Sequence, residues 1–248
     1  MNLLLLHPEE IDGAGVARLR GRRAVHAREV LKVSSGATLV AGVLGGKMGA
    51  GEVISSDAEA LTIRVTLDRD PPPRSPVDLL LALPRPKVLR RVLQAVASMG
   101  IGTVAIVGSW RVEKSYWGSP SLDAAAMRAE LLLGLEQGRD TILPNVLVRR
   151  FFKPFVEDEL DTTFPGTHRL LAHPAAAAPL EAATPRGRRA VLAIGPEGGW
   201  TAYEARRLVE LGFEDFSLGP RALRVDAALA YSVGQVELWL RASAAGGA

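Results

Sequence analysis

The 248-residue chain contains no cysteine. That excludes disulfides, thiolate catalysis and cysteine-ligated metals. Histidine is scarce too. His7, His26, His168 and His173 are spaced unlike a metal-binding set, so no metal is expected. Aromatic residues make up only 5% of the chain, which leaves few rings for base stacking. No apolar run approaches the roughly 18 residues of a membrane span. The Leu3–Leu6 run is too short for the apolar core of a secretory signal, and no basic stretch precedes it. The expectation is a soluble cytoplasmic protein with no membrane partner. Lysine is rare as well: positions 32, 47, 87, 114 and 153 against 25 arginines. The planar guanidinium fork suits phosphate and base edges. The codon bias of a GC-rich genome gives the same skew, and composition by itself weighs toward that second source.

With 48% hydrophobic and 23% charged residues, whole-chain disorder is excluded. The formal net charge of +3 points only weakly to an anionic partner. Four prolines fall within Pro71–Pro76, a stiff stretch that suits neither a helix nor a central strand. The expected division is therefore a first domain over 1–70, a linker over 71–76 and a second domain over 77–248.

The first segment reads as mostly β. Leu61, Ile63, Val65 and Leu67 alternate with polar neighbours, the period of a half-buried strand. Ala37–Gly42 is a second strand, and Gly45-Gly46 marks a hairpin turn. Gly21–Val33 is the one helical stretch, so a small barrel with one helix is expected.

The second segment alternates strands and helices. Val77–Leu83, Thr103–Val107, His168–Ala172, Ala190–Ile194 and Phe213–Leu218 read as strands. Val88–Met99, Asp123–Gln137, Thr201–Leu211 and Val225–Arg241 read as helices, Thr201 and Glu204 being placed as a capping box. This pattern predicts an α/β fold with a parallel sheet and helices on both faces.

Two glycine loops stand out. Ile194-Gly195-Pro196-Glu197-Gly198-Gly199 follows one strand, and Leu218-Gly219-Pro220-Arg221-Ala222-Leu223-Arg224 follows another; each enters a helix. Ligands in open α/β sheets sit at the carboxyl ends of strands, where glycine lets backbone approach them. Neither loop has the spacing of a nucleotide phosphate loop or a dinucleotide fingerprint. Each alone also suits an ordinary tight turn.

Together these loops resemble the C-terminal signature of the RsmE family, the 16S rRNA uridine N3-methyltransferases of the SPOUT superfamily. Ala82-Leu83-Pro84-Arg85, with Gln94 and Gly100 beyond it, resembles that family's Ala-Leu-Pro-Lys segment and first helix. Glu136-Gln137 resembles its Glu-Gln step, and His26, Val30, Leu31 and Lys32 resemble its N-terminal segment.

The resemblance implies a PUA-like N-terminal β-barrel and a SPOUT α/β domain with a trefoil knot. It also implies S-adenosylmethionine as methyl donor, a homodimer, and 16S rRNA within the small ribosomal subunit as substrate. By position, Leu171, His173 and Pro174 would join Ile194, Gly195, Pro196, Glu197, Gly198 and Gly199 around the cofactor. Leu218, Gly219, Arg221 and Leu223 would complete the set.

Where the family commonly reads Leu-Arg-Thr-Glu-Thr-Ala, this chain has Leu223-Arg224-Val225-Asp226-Ala227-Ala228. Arg224 is assigned to charge on the uracil oxygens, and Asp226 either to accepting the N3 proton or to capping the final helix. Absence of cysteine excludes the cysteine-adduct route of some base methylases. RNA contact is assigned to Arg20, Arg22, Arg23, His26, Arg28 and Lys32, and to Arg85 and Lys87. The alternatives left open are another RNA position, or an inactive RNA-binding module that retains the cofactor pocket.

Overall fold

In a computed structural model, which describes residues 2–245, the chain forms two compact units. The first comprises Met1–Pro73 with Val96–Gly100 and Ala129–Leu143. The second comprises Arg74–Ala95, Ile101–Arg128 and Pro144–Ala248. In chain order the strands and helices are β1 (Leu4–Leu6), β2 (Val16–Leu19), α1 (Arg22–Glu29), β3 (Thr38–Val43), β4 (Met48–Ser56) and β5 (Leu61–Arg69). There follow β6 (Val77–Ala82), α2 (Pro86–Ser98), β7 (Thr103–Val107), α3 (Ala124–Gly138), β8 (Asn145–Arg149), α4 (Phe152–Pro154) and α5 (Leu160–Thr163). The last are β9 (His168–Ala172), β10 (Ala190–Ile194), α6 (Ala202–Glu210), β11 (Glu214–Phe216) and α7 (Val225–Ala245).

The first unit holds a mixed sheet in the order β1-β3-β4-β5-β2, in which only β1 and β3 run parallel. Its core is Leu4, Leu6, Ala17, Leu19, Val53, Leu61 and Ile63, closed by Ala24 and Ala27 of α1. The β3–β4 turn uses Gly45 at φ +78°. At Gly49 the pairing register shifts, and a Cβ there would sit 1.8 Å from the Thr66 carbonyl oxygen. Only glycine allows the strands to close at that point. Helix α1 is shorter than the expected Gly21–Val33, because Val30 and Leu31 leave it exposed and Lys32 takes φ +51°.

The unit boundary lies between Pro73 and Arg74, yet two later segments group with the first unit. A linear reading by prolines does not reveal them. Glu136 shows the reason. Its backbone carbonyl accepts from the N–H groups of Asn2 and Leu3, at 2.9 and 3.0 Å. Its buried carboxylate accepts from Arg22 at 2.6 Å. Gly138 then packs against Ser98 so closely that a Cβ would meet the Ser98 backbone at 2.6 Å.

The second unit holds a six-stranded parallel sheet, β11-β9-β10-β6-β7-β8. Every residue of β6 and β10 is buried, so both faces of the sheet centre are covered. The buried exception to apolar character is Asp78, whose carboxylate pairs with Arg189 and accepts from the Thr103 N–H at 2.8 Å. Helix α6 carries the capping box the sequence announces, both bonds between Thr201 and Glu204 being made. Strand β11 is shorter than the expected Phe213–Leu218, and the end of that run becomes loop. The sequence pattern marks neither β8 nor the α4–α5 segment, which is interrupted by a π-helical turn at Phe155–Glu159. Among the described residues no helix is long and apolar enough to cross a membrane.

His168, at the start of β9, is a buried titratable group whose surroundings set a pH dependence near neutrality. Its Nδ1 accepts from the Arg186 N–H at 3.0 Å, and the ring meets Trp239 edge-on at 5.1 Å. Burial lowers its pKa from the ordinary 6.5, while Glu214, 3.3 Å away, opposes and Arg186 adds to the lowering. With Nδ1 accepting, the neutral ring carries its proton on Nε2, facing Glu214. A depressed folded-state pKa means that the unfolded chain takes up the proton first. The stability His168 contributes is complete above the ordinary value and is lost as pH falls through the depressed one. Melting curves between pH 7 and 5 should show a falling Tm whose slope is shallower in His168→Asn. An identical slope in the variant would assign the loss to other groups.

Candidate functional site

Strands β11, β9 and β10 are sheet neighbours and run parallel, so their carboxyl ends lie along one edge. The three segments that follow them line one cleft of about 230 Å³. The segment after β9 contributes His173 and Pro174, joined by Ala172. The one after β10 contributes Ile194, Gly195, Pro196, Glu197, Gly198, Gly199 and Trp200. The one after β11 contributes Leu218, Gly219, Arg221, Ala222 and Leu223, with Val225 and Ala228 behind them. Of the thirteen residues assigned to the cofactor, only Leu171 is absent from the wall. It is fully buried within β9, paired with Ala193. Successive strand residues face opposite ways, and it is Ala172 that reaches the cleft.

Backbone shapes this cleft more than side chains do. Gly199 and Gly219 take φ of +69° and +99°, conformations that strain any residue with a Cβ. A Cβ on Gly195 would lie 2.9 Å from the Trp200 nitrogen and 3.2 Å from Gly199, so the loop closes only on glycine. Glu197 turns back to accept from the Arg85 N–H at 3.0 Å. Arg111 donates to the carbonyls of Gly198, at 2.6 Å, and Trp200, at 3.3 Å, and so braces the loop from outside. Neither Arg111 nor Trp200 was assigned to the site from sequence. Trp200 is buried against Phe152, ring centroids 5.5 Å apart, and its Nε1–H is buried without a partner among the described residues.

Arg224 and Asp226 flank the cleft without lining it. Arg224 is exposed, and no acceptor holds its guanidinium among the described residues. Asp226, in the first turn of α7, accepts from Arg91 Nε at 2.7 Å. Burial pushes its pKa up, but Arg91 and the backbone N–H groups of Asp226 and Ala227 outweigh that and hold it below the ordinary carboxylate value. Arg91 engages Oδ2 alone, and Oδ1 is buried without a partner among the described residues; a carboxylate stabilised as the anion is a weaker proton acceptor.

The basic residues sort differently from their spacing in sequence. Arg22 is held by Glu136, and Arg23 by Glu10 and by the Leu5 carbonyl, at 2.7 Å. Arg28 donates to the Asp57 and Ala58 carbonyls. His26 is half-buried, with Nε2 enclosed and unpartnered among the described residues. Arg20 and Lys32, with Arg18, remain exposed and outside the ion pairs found. In the second unit Lys87 and Arg85 are exposed at the entry to α2. Intramolecular carboxylates thus account for part of the cluster, and those acidic partners lie too far along the chain for a local charge count to register.

Residues 71–237 match the family model of an RNA methyltransferase domain. The chain is 31% identical over 97% of its length to the ribosomal RNA small subunit methyltransferase E of Treponema pallidum, covering 94% of that protein. It is 24% identical to such a methyltransferase of Borreliella burgdorferi, over 92% of this chain and 94% of that one. Among solved structures, the small subunit methyltransferase E of Neisseria gonorrhoeae, bound to S-adenosyl methionine, superposes with a TM-score of 0.72 at 23% identity, covering 96% and 98% of the two chains. A Legionella pneumophila methyltransferase solved with bound cofactor gives 0.74 at 21%, covering 96% and 97%. At such identities the structural likeness speaks for the fold.

Proposed function

The chain belongs to the RNA methyltransferase family whose curated relatives are ribosomal RNA small subunit methyltransferases E, and from that premise we propose that it methylates N3 of a uridine in 16S rRNA, with S-adenosylmethionine as donor. The observation that carries this reading is the convergence of three strand-end loops on one backbone-lined cleft. Its chemistry fits such a donor. Ile194, Leu218, Leu223 and Val225 supply apolar walls, glycine backbone supplies amide and carbonyl groups, and Trp200 Nε1–H is a buried donor without an acceptor among the described residues. Two of the solved relatives hold this molecule.

When bound, the donor supplies a methyl group on a sulfonium, a good leaving group. The protein's task is to align the uridine nitrogen with it and to exclude water. Arg224, exposed beside Leu223 and held by no acceptor among the described residues, would face negative charge gathering on the uracil oxygens as N3 gives its proton to solvent. Asp226 acts through Arg91: the pair fixes the first turn of α7 and so the position of the Leu218–Val225 lip. The glycine-loop segment is read as part of a knotted SPOUT domain, and the first unit as a PUA-like RNA-binding barrel. A homodimer is supported by the outer face of α7. There Tyr231 and Leu238 stay 52% and 62% exposed, one heptad apart, beside the small residues Ala227, Ala230 and Gly234. The proposed setting is the cytoplasm, with the small ribosomal subunit as partner.

The decisive measurement is mass mapping of modified nucleosides in rRNA from a strain lacking the gene. Loss of N3-methyluridine from 16S rRNA, restored by the parent gene and not by Arg224→Ala, is the expected result. An unchanged N3-methyluridine signal would overturn the reading. Loss of a different methylated nucleoside would redirect it to another RNA position.

A further inference from the structure

A second and larger cleft, of about 640 Å³, lies in the same unit; Gly198, Gly199 and Trp200 line the first cleft, and Thr201, Tyr203 and Glu204, next along the chain, line this one. It plays no part in holding the donor in the reading above. Its floor is built by a close approach. A Cβ on Gly108, just after β7, would stand 2.1 Å from the Arg150 carbonyl oxygen just after β8. The two strand-end loops therefore touch, and only glycine lets them. Glu204 fixes the far side. Its buried carboxylate accepts from Ser109 Oγ at 3.0 Å, from the Trp110 N–H at 2.8 Å and from the Thr201 N–H at 2.8 Å.

The side chains presented on this floor are of two kinds. Trp110, Phe151 and Tyr203 are large rings left 88%, 66% and 56% exposed. Lys114, Arg150 and Lys153 are exposed cations with no carboxylate partner among the described residues. In a chain with 5% aromatics, three exposed rings meeting at one cleft require an account. A purely apolar patch would suit a second protein surface. Rings interleaved with unpaired cations suit instead a ligand that is flat and apolar on its faces and anionic along its edge. An unstacked nucleotide has that chemistry: its base lies on aromatic faces and its phosphate meets Lys and Arg.

We infer that the Trp110–Phe151–Tyr203 cleft holds an unpaired nucleotide of the RNA strand, distinct from the nucleotide that is methylated. The inference rests on the proposed RNA substrate and adds a second point of grip. Arg111 connects the two sites, because it extends from the Trp110 loop to the carbonyls of Gly198 and Trp200 in the donor cleft.

The test is fluorescence anisotropy of a labelled short oligouridine with the full-length protein, alongside calorimetry with S-adenosylmethionine. The double variant Trp110→Ala, Phe151→Ala should bind oligouridine at least about ten-fold more weakly, the scale of base–aromatic stacking. Trp110→Phe should retain most of the affinity, since a ring is kept. Arg150→Ala with Lys153→Ala should flatten the salt dependence of binding. Affinity for S-adenosylmethionine should not change in any of them. Equal oligouridine affinity in the parent and the double variant would overturn the inference, as would failure of the parent to bind at all. So would a change in sedimentation of the double variant, which would identify the occupant as a second copy of the chain. Methyl transfer to small-subunit rRNA by the parent is measured in parallel. If it proceeds while the cleft variants bind normally, the cleft proposal fails and the proposed function stands.

Discussion

Gly195→Val is expected to weaken S-adenosylmethionine binding by at least ~100-fold, equivalent to about 2.7 kcal/mol, while leaving a folded protein. The atoms that a Cβ would meet are the Trp200 nitrogen at 2.9 Å and the Gly199 backbone at 3.2 Å. All are main chain, so no side chain can swing away. The loop itself must open, and with it the position of every amide between Gly195 and Trp200. Overpacking of this kind costs about 1–3 kcal/mol of stability, which a chain of this size survives. Gly13→Ala is the control. Gly13 lies in a turn of the first unit, away from the cleft, its φ is not positive and a Cβ there meets nothing within 4 Å. Calorimetric titration of both variants, with melting curves, separates a distorted cleft from general damage. Binding of the donor by Gly195→Val within a factor of a few of the parent would remove the glycine loop from the site.

Glu204→Ala should be the most destabilising single truncation in this region. Four donors converge on its carboxylate: Ser109 Oγ, the Trp110 N–H, the Thr201 N–H and Thr201 Oγ. The hydroxyls can turn to other acceptors, but the two backbone N–H groups have fixed directions. These two donors are part-buried, so each left unmade costs about 1–2 kcal/mol, and loss of a helix cap adds about 1. A loss of roughly 3–5 kcal/mol follows, or a Tm lower by about 10 °C on the scale of ~2–4 °C per kcal/mol for a chain of this size. Glu204→Gln keeps one acceptor and turns the other position into a donor facing donors, so it should fall between parent and alanine. Thr201→Ala removes only the reciprocal cap and should cost about 1 kcal/mol. Differential scanning calorimetry of the three variants gives the order. A Glu204→Ala protein that melts like the parent would mean that water replaces the carboxylate at no cost.

Glu204 also shows where a sequence is informative and where it stops. The capping half of its role is written locally, as threonine followed three residues later by glutamate, and it appears as expected. Its bonds to Ser109 and Trp110 cross ninety-odd residues and have no local trace. The same division runs through the molecule. Strand β10 is a continuous apolar run, β7 is one after Thr103, β6 is one but for Asp78, and β9 is apolar over its last three residues; these runs could be placed from sequence. Strand β8, Asn-Val-Leu-Val-Arg at the sheet edge, is half-buried, too short and too mixed to be distinguished from loop. The α4–α5 segment carries Pro154 and a π-helical turn, which erase a 3.6-residue period. The glycine loops were legible because their glycines sit where backbone must pass closely or turn left-handed. The charges were the least legible. Arg22 and Arg23 look alike in sequence to Arg18 and Arg20, and only the folded positions of Glu136 and Glu10 separate a structural arginine from an available one.

Arg111 carries a thermodynamic consequence. One side chain belongs to the loop of the aromatic cleft and grips two carbonyls of the donor loop. Any occupant that orders one loop spares the other part of its ordering cost. By linkage the benefit is mutual and of equal size. Demethylated donor leaving the first cleft would then loosen the strand in the second, so that spent cofactor and finished RNA promote each other's departure.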